Sequence, residues 1–212
     1  MTRNSLPDTM PRMPETDEHR STRGNGLLEA FLARRRHAKA RLLLSAMRSC
    51  ESVLDLGCGQ YPLLLSSLPI PRRIGIDRAP GNTKAEGITV HTQDLCTHTR
   101  LPFEDASFDA VTMLATLEHL QPEQIADLMR DVHRVLKPGG RFIFTTPHLI
   151  GSPVLWVMTI LGMVSKEEIE EHHTLFTKSR LLSLMTESGF HRSKVHVHSF
   201  QCGLNIYGFA EK

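Results

Sequence analysis

The run Val53-Leu54-Asp55-Leu56-Gly57-Cys58-Gly59-Gln60 carries the most chemical information in the chain. A short apolar strand enters a turn with glycines at 57 and 59, so no Cβ stands between the turn and a ligand. The helix that follows such a turn offers free N–H groups to a carboxylate or phosphate. Asp77 comes twenty residues after Gly57, at the end of Ile74-Gly75-Ile76-Asp77. A carboxylate at the end of a second strand can accept hydrogen bonds from both hydroxyls of a ribose. The pair points to a nucleotide-like ligand, either a dinucleotide or S-adenosylmethionine. A dinucleotide fingerprint wants a third glycine three residues beyond the second. Proline stands there, at position 62, which disfavours NAD.

The elements that must hold these residues alternate short apolar strands with helices, the pattern of a parallel sheet covered on both faces. Strands are predicted over 52–56, 73–76, 88–91, 108–115 and 141–146, with helices over 62–68 and 122–136. The second helix opens on a proline suited to a first turn and stops at Lys137-Pro138-Gly139-Gly140. Helical periodicity from 178 to 187 ends at Gly189, and two β-patterned runs follow, 194–198 and 204–210. The connection between them is too short for anything but antiparallel pairing. Ahead of the first strand, 27–47 reads as a basic amphipathic helix, with Leu28, Phe31, Leu32, Leu42, Leu43 and Met47 among Arg34, Arg35, Arg36, Lys39 and Arg41. Such a helix either packs on the domain with a solvated basic face or meets an acidic partner or membrane surface. Residues 1–26 hold too few apolar side chains to offset the entropy of ordering, and read as a disordered lead.

A length of 212 residues fits one domain, and 40% hydrophobic with 23% charged residues excludes a chain disordered throughout. A net charge of +2 creates no global field that demands a nucleic acid or a membrane. Cys50, Cys58, Cys96 and Cys202 form no C-x-x-C pair, which excludes a zinc ribbon or thioredoxin-like motif and suits a reducing cytoplasm. The first 26 residues hold no apolar h-region of a secretory signal. The longest apolar stretch, about 149–164, is broken by Gly151 and Pro153 and falls short of the ~20 residues of a spanning helix.

Six segments in order resemble the class I S-adenosylmethionine-dependent methyltransferases, in the branch described as methyltransferase type 11. They are Val53-Leu54-Asp55-Leu56-Gly57-Cys58-Gly59; Gly75-Ile76-Asp77; Gln93-Asp94-Leu95; Leu101-Pro102-Phe103 with Ser107-Phe108-Asp109; Leu117-Glu118-His119-Leu120; and Arg134-Val135-Leu136-Lys137-Pro138-Gly139-Gly140. The resemblance covers about 52–212. It implies a three-layer Rossmann-like α/β fold, with a mostly parallel seven-stranded sheet and a reversed C-terminal strand. It also implies S-adenosyl-L-methionine as cofactor. Asp55, Gly57, Cys58 and Gly59 are similar to the loop that receives the methionine moiety and adjoining ribose, Asp77 to the ribose carboxylate, and Asp94 and Leu95 to the pair that contacts adenine. Leu114 is similar to a backbone contact at the end of the fourth strand. Where the family often has a small residue after Gln60, this chain has Tyr61 and Pro62, and Tyr61 could instead cover the methionine end.

Methyl transfer asks the protein to hold an acceptor lone pair in line with the S–CH3 bond at roughly 3 to 3.5 Å and to exclude water. A base is needed only when the nucleophile starts protonated. The candidates are His172 and His173, which precede Leu175-Phe176-Thr177, and His119 after the fourth strand; each has a structural alternative as a cap or helix-end residue. His196 and His198 share one face of a strand, a weak invitation to a metal that lacks accompanying carboxylates or cysteines, and no metal is expected.

The apolar segment 147–177, with the chain's one tryptophan, Trp156, leaves the fifth strand at the sheet's ligand-binding edge. It reads either as a core or dimer-packing helix, or as a lid over a small or lipophilic acceptor lying against a membrane surface. The expected organisation is a lead over 1–26 and one methyltransferase domain over 27–212. That domain divides into an N-terminal helix at 27–48, a cofactor core at 49–146, the apolar region at 147–177 and the C-terminal helix and strand pair at 178–212. The expected activity is cytoplasmic methylation of a small molecule, with O-methylation favoured over N or C and nucleic acid not expected as substrate. A non-catalytic methyltransferase-like binding module or partner subunit, and an NAD-dependent oxidoreductase, are the alternatives.

Overall fold

In the computed structural model, residues 27–79, 87–148, 176–201 and 203–212 are described. Seven strands form one sheet: β1 Ser52–Leu56, β2 Arg72–Asp77, β3 Ile88–Thr92, β4 Phe108–Leu114, β5 Leu136–Pro147, β6 Val195–Phe200 and β7 Asn205–Glu211. Their order is β3-β2-β1-β4-β5-β7-β6. The first five strands are mutually parallel, and β7 runs antiparallel to both β5 and β6. This is the doubly wound α/β sheet with one reversed strand that the motifs imply. β1 lies inside the sheet, between β2 and β4, with all five residues buried, so it reads as an unbroken run rather than an alternating one.

The helices are α1 Leu27–Ser45, α2 Leu63–Ser66, α3 Pro122–Val135 and α4 Lys178–Glu187. α3 begins with Pro122 in its first turn and a reciprocal cap between Gln121 and Gln124. It buries Ile125, Leu128, Met129, Val132 and Val135, one face at helical spacing. α4 is opened by Thr177, whose side chain accepts from the Arg180 N–H at 3.2 Å. It is closed by Gly189 at φ 104°, with Phe190 N–H returning to the Met185 carbonyl.

The sheet separates two apolar layers. On one face Phe142 and Phe144 of β5 pack with α3, α4 and Phe190. On the other Val53, Ala110 and Ile143 pack with Ala40 and Leu44 of α1 and Leu64 and Leu65 of α2.

Three expectations are corrected. The Lys137-Pro138-Gly139-Gly140 turn ends α3 but does not separate it from the next strand, because β5 begins at Leu136 and runs through it. Gly139, at φ 76°, lets β5 shift register, so that Phe108 faces Leu136 while Ala110 faces Arg141. The fourth strand ends at Leu114 rather than 115, since Ala115 adopts φ 53°. Leu42, counted with the buried side of the first helix, is 60% exposed. The apolar region from 149 to 175, with Trp156, lies outside the described residues, as do 1–26 and Cys202.

Candidate functional site

β1, β2 and β3 present their carboxyl ends side by side, and β4 presents its end next to β1. The chain leaves β1 through Gly57 at φ 73° and Gly59 at φ 77°, a left-handed backbone that favours glycine. A Cβ on Gly57 would fall 2.4 Å from Thr116 Oγ1, so the missing side chain is what lets the turn lie against the end of β4. Gly57 and Cys58 both donate their N–H to the Ile76 carbonyl, at 2.8 and 3.1 Å, which ties the turn to β2. Gly75 has the complementary reason to be glycine: its Cβ would stand 2.6 Å from Cys58 Sγ. Burial, with the nearby charges of Asp55 and Asp77, pushes the Cys58 thiol well above its usual range and keeps it protonated.

Asp77 closes β2 and faces the turn. Its Oδ2 accepts the Gly59 N–H at 2.9 Å and its Oδ1 accepts the Ala79 N–H at 3.0 Å. Each oxygen keeps a further lone pair for a hydroxyl. Asp94 follows β3, and its Oδ1 accepts the Cys96 N–H at 2.9 Å. Gln93 pins the same loop from behind, donating to the carbonyls of His98 and Arg100 at 2.7 and 3.0 Å.

Asp55 is buried in the strand that feeds the turn. Thr112 Oγ1 of β4 donates to its Oδ1 at 2.6 Å. Burial pushes the carboxyl up to about 7; the Thr112 hydrogen bond opposes the shift and the Asp77 charge adds to it.

A hollow of about 170 Å³ joins these ends. Gly57, Asp77, Asp94, Leu95, Thr116 and His119 line it, together with Arg78, Gln93, Cys96 and Leu120. The structure therefore brings Gly57, Asp77, Asp94, Leu95 and His119 to one cavity. Gly59 is attached to it through Asp77, while Asp55 and Cys58 stand directly behind the turn. Leu114 does not line the hollow; its carbonyl accepts from Thr116 Oγ1 at 3.3 Å. His172 and His173 lie outside the described residues. His119 ends the short 3-10 turn Leu117–His119, and its carbonyl accepts from Cys96 Sγ at 3.6 Å.

Sequence reasoning passed over Thr112 and Thr116 and gave no role to the buried Glu118, whose Oε2 accepts from Thr146 Oγ1 at 3.1 Å. The one available signal was a set of threonines inside otherwise apolar strands. His196 and His198 stack on Phe209 and Tyr207 of β7, with ring centroids 4.7 and 5.3 Å apart. Among the described residues no group of three His, Cys, Asp or Glu side chains gathers as metal ligands.

Residues 54–144 match the family model of a methyltransferase domain. An uncharacterized methyltransferase of Synechocystis sp. is 28% identical over 157 residues, 70% of this chain and 71% of that protein. The ubiquinone biosynthesis O-methyltransferase of Idiomarina loihiensis is 31% identical over 155 residues, 65% of this chain and 60% of that one, so the chain spans less than two thirds of this relative. The crystal structure of a SAM dependent methyltransferase from Archaeoglobus fulgidus shares the fold, with a TM-score of 0.62 at 16% identity over 83% of this chain and 92% of that one. The glycine turn, the strand-end carboxylates, the sheet order and these likenesses agree: residues 54–144 carry a methyltransferase domain, and the chain has the fold of the class I S-adenosylmethionine-dependent methyltransferases, whose cofactor is S-adenosyl-L-methionine.

Proposed function

We propose that the protein transfers a methyl group from S-adenosylmethionine to a small, lipophilic acceptor, at a hydroxyl oxygen, and does so in the cytoplasm. The observation that carries the reading is the Gly59 N–H to Asp77 bond at 2.9 Å, which fixes a carboxylate over a side-chain-free turn at the sheet's carboxyl edge. Asp77 takes the ribose hydroxyls on its open lone pairs. Leu95 and Leu120 give the cavity apolar walls for a planar base, and the Asp94 carboxylate accepts from an exocyclic amine. Asp55, Gly57, Cys58 and Gly59 receive the methionine end, and the Asp77 carboxylate favours a cation there.

When bound, the cofactor would supply an activated methyl on a sulfonium, which an acceptor lone pair would take as the S–CH3 bond breaks and the thioether leaves. The chain's own task is alignment, exclusion of water and, for a hydroxyl acceptor, removal of a proton. His119 is a candidate for the last because it lines the hollow. His172 and His173 are candidates from the sequence alone.

O-methylation draws support from the Idiomarina relative, an O-methyltransferase by name. A lipophilic acceptor draws support from the apolar composition of 147–177. We extend the same reading to one methyltransferase domain over 27–212 behind a lead of 1–26.

Two measurements test the proposal. S-adenosylmethionine should raise the melting temperature and NAD should not, since a ligand of the native state alone must stabilise it. Metabolites from cells overexpressing the protein should include species heavier by one methyl group. A shift with NAD only, or binding without a methylated product across a broad acceptor panel, would overturn it.

A further inference from the structure

α1 and α2 lie on the same face of the sheet, joined through Ala40, Leu44, Leu64 and Leu65 in one buried layer. From Ala30 to Cys50 the sequence holds six Lys or Arg residues and no Asp or Glu. Those six exceed the whole net charge of +2, so the rest of the chain is net acidic. Arg34 and Arg41, seven residues apart and therefore on one side of α1, are both exposed, as are Arg35 and Arg48. Among the described residues no ion pair engages any of these four arginines. Among the described residues the large exposed apolar side chains are Leu42 at 60%, Leu63 at 53% and Tyr61 at 36%. Leu42 sits beside Arg41 on α1, and Tyr61 and Leu63 flank Pro62 where the glycine turn enters α2. An acid-free cationic run and the exposed apolar side chains thus coincide on one layer of the molecule.

We propose that this α1–α2 face docks on an anionic lipid bilayer, lying on it rather than crossing it. Guanidinium groups meet lipid phosphates, and each cation near such a surface strengthens attachment, while leucines enter the headgroup boundary. No described helix is long and apolar enough to span. A single-stranded nucleic acid suits the face less well, because it wants open aromatic faces for base stacking. The rings beside α1 are already engaged: Tyr207 carries Lys39 over it at 4.5 Å and stacks on His198, and Phe209 carries Arg141 and stacks on His196. Of the exposed apolar side chains on this face, Leu42 and Leu63 offer bases nothing to stack on, and Tyr61 is one ring at 36% exposure rather than a row of them.

The dock stands apart from the methyl-transfer reading, since it uses none of the residues that line the cofactor hollow. Sedimentation of the full chain with vesicles tests it. The protein should partition onto phosphatidylcholine vesicles containing phosphatidylglycerol and not onto phosphatidylcholine alone, with binding lost at high salt. Reversing two cations with Arg34→Glu and Arg41→Glu should weaken partition by at least about thirtyfold. Leu42→Ser is the second variant; its exposed site leaves the fold intact, and it too should weaken partition. Both should keep the wild-type melting shift with S-adenosylmethionine, which separates a failed dock from a failed cofactor site. Equal partition onto both vesicle types, undiminished binding by the charge-reversed protein, or tighter binding to a single-stranded oligonucleotide than to anionic vesicles would overturn the proposal.

Discussion

The Gly59 N–H points at Asp77 Oδ2 across 2.9 Å, so the glycine turn after β1 and the carboxylate that ends β2 are one structural unit. The bond orients the carboxylate before any ligand arrives. Because Gly57 and Cys58 also donate to the Ile76 carbonyl, disturbing the turn should disturb the carboxylate.

Gly57→Ala should therefore cost both stability and cofactor binding. The new Cβ would lie 2.4 Å from Thr116 Oγ1, on a residue held at φ 73°. A loss of about 2 kcal/mol or more is expected from the clash and the left-handed backbone together. Adding Thr116→Ala should return part of that loss, because it removes the nearest contacts and leaves the backbone strain. Urea unfolding of the single and double variants measures the coupling; additive losses would contradict the geometry.

Asp55 makes stability fall with rising pH. Burial lifts its carboxyl to about 7, against an unfolded value of about 3.9, so between those values the folded state holds a proton that the unfolded chain releases. The contribution is complete below about pH 4 and is lost as pH rises through about 7. Asp55→Asn cannot ionise and should be more stable than the wild type at pH 8, by on the order of 3 kcal/mol relative to the difference at pH 4. The same variant should bind S-adenosylmethionine more weakly. Parallel stability profiles for the two proteins across this window would refute the assignment.

Asp131 works in the opposite sense and away from the cofactor. Burial alone would raise its carboxyl, but hydrogen bonds from Arg134 and the Leu101 N–H, with the charges of Arg134 and Arg100, hold it below the usual carboxylate range. The donors stand at 2.6 to 3.0 Å and fasten the Leu101-Pro102-Phe103 segment to α3. Its stabilisation is present above about pH 4 and lost as pH falls. Asp131→Ala should cost about 3 kcal/mol, since it leaves the Arg134 guanidinium and the Leu101 N–H without their buried acceptor, while cofactor affinity stays near wild type. Loss of cofactor affinity without loss of stability would show that the cluster belongs to the site instead.

How much could be read beforehand follows from where each signal lives. The β1 run and its glycine turn were legible because a strand buried on both faces must be continuously apolar and a tight turn must find glycine. Asp77 was legible from its distance to that turn. Thr112 was not, because its meaning depends on β4 lying beside β1, a pairing that joins Asp55 to a residue 57 positions away. Glu118 and Thr146 share that difficulty, each unremarkable until β4 and β5 are adjacent. Leu42 was misjudged for another reason: among the described side chains of α1 the buried ones are Ala40 and Leu44, and the leucine between them faces outward.

The most direct test of the account is calorimetric titration of S-adenosylmethionine into the wild-type protein and Asp77→Ala. A carboxylate that accepts two ribose hydroxyls and anchors the turn through Gly59 should be worth at least about 2 kcal/mol, a loss of roughly thirtyfold in affinity, in a variant that still melts cooperatively. Equal affinity in the two proteins would contradict the cofactor site.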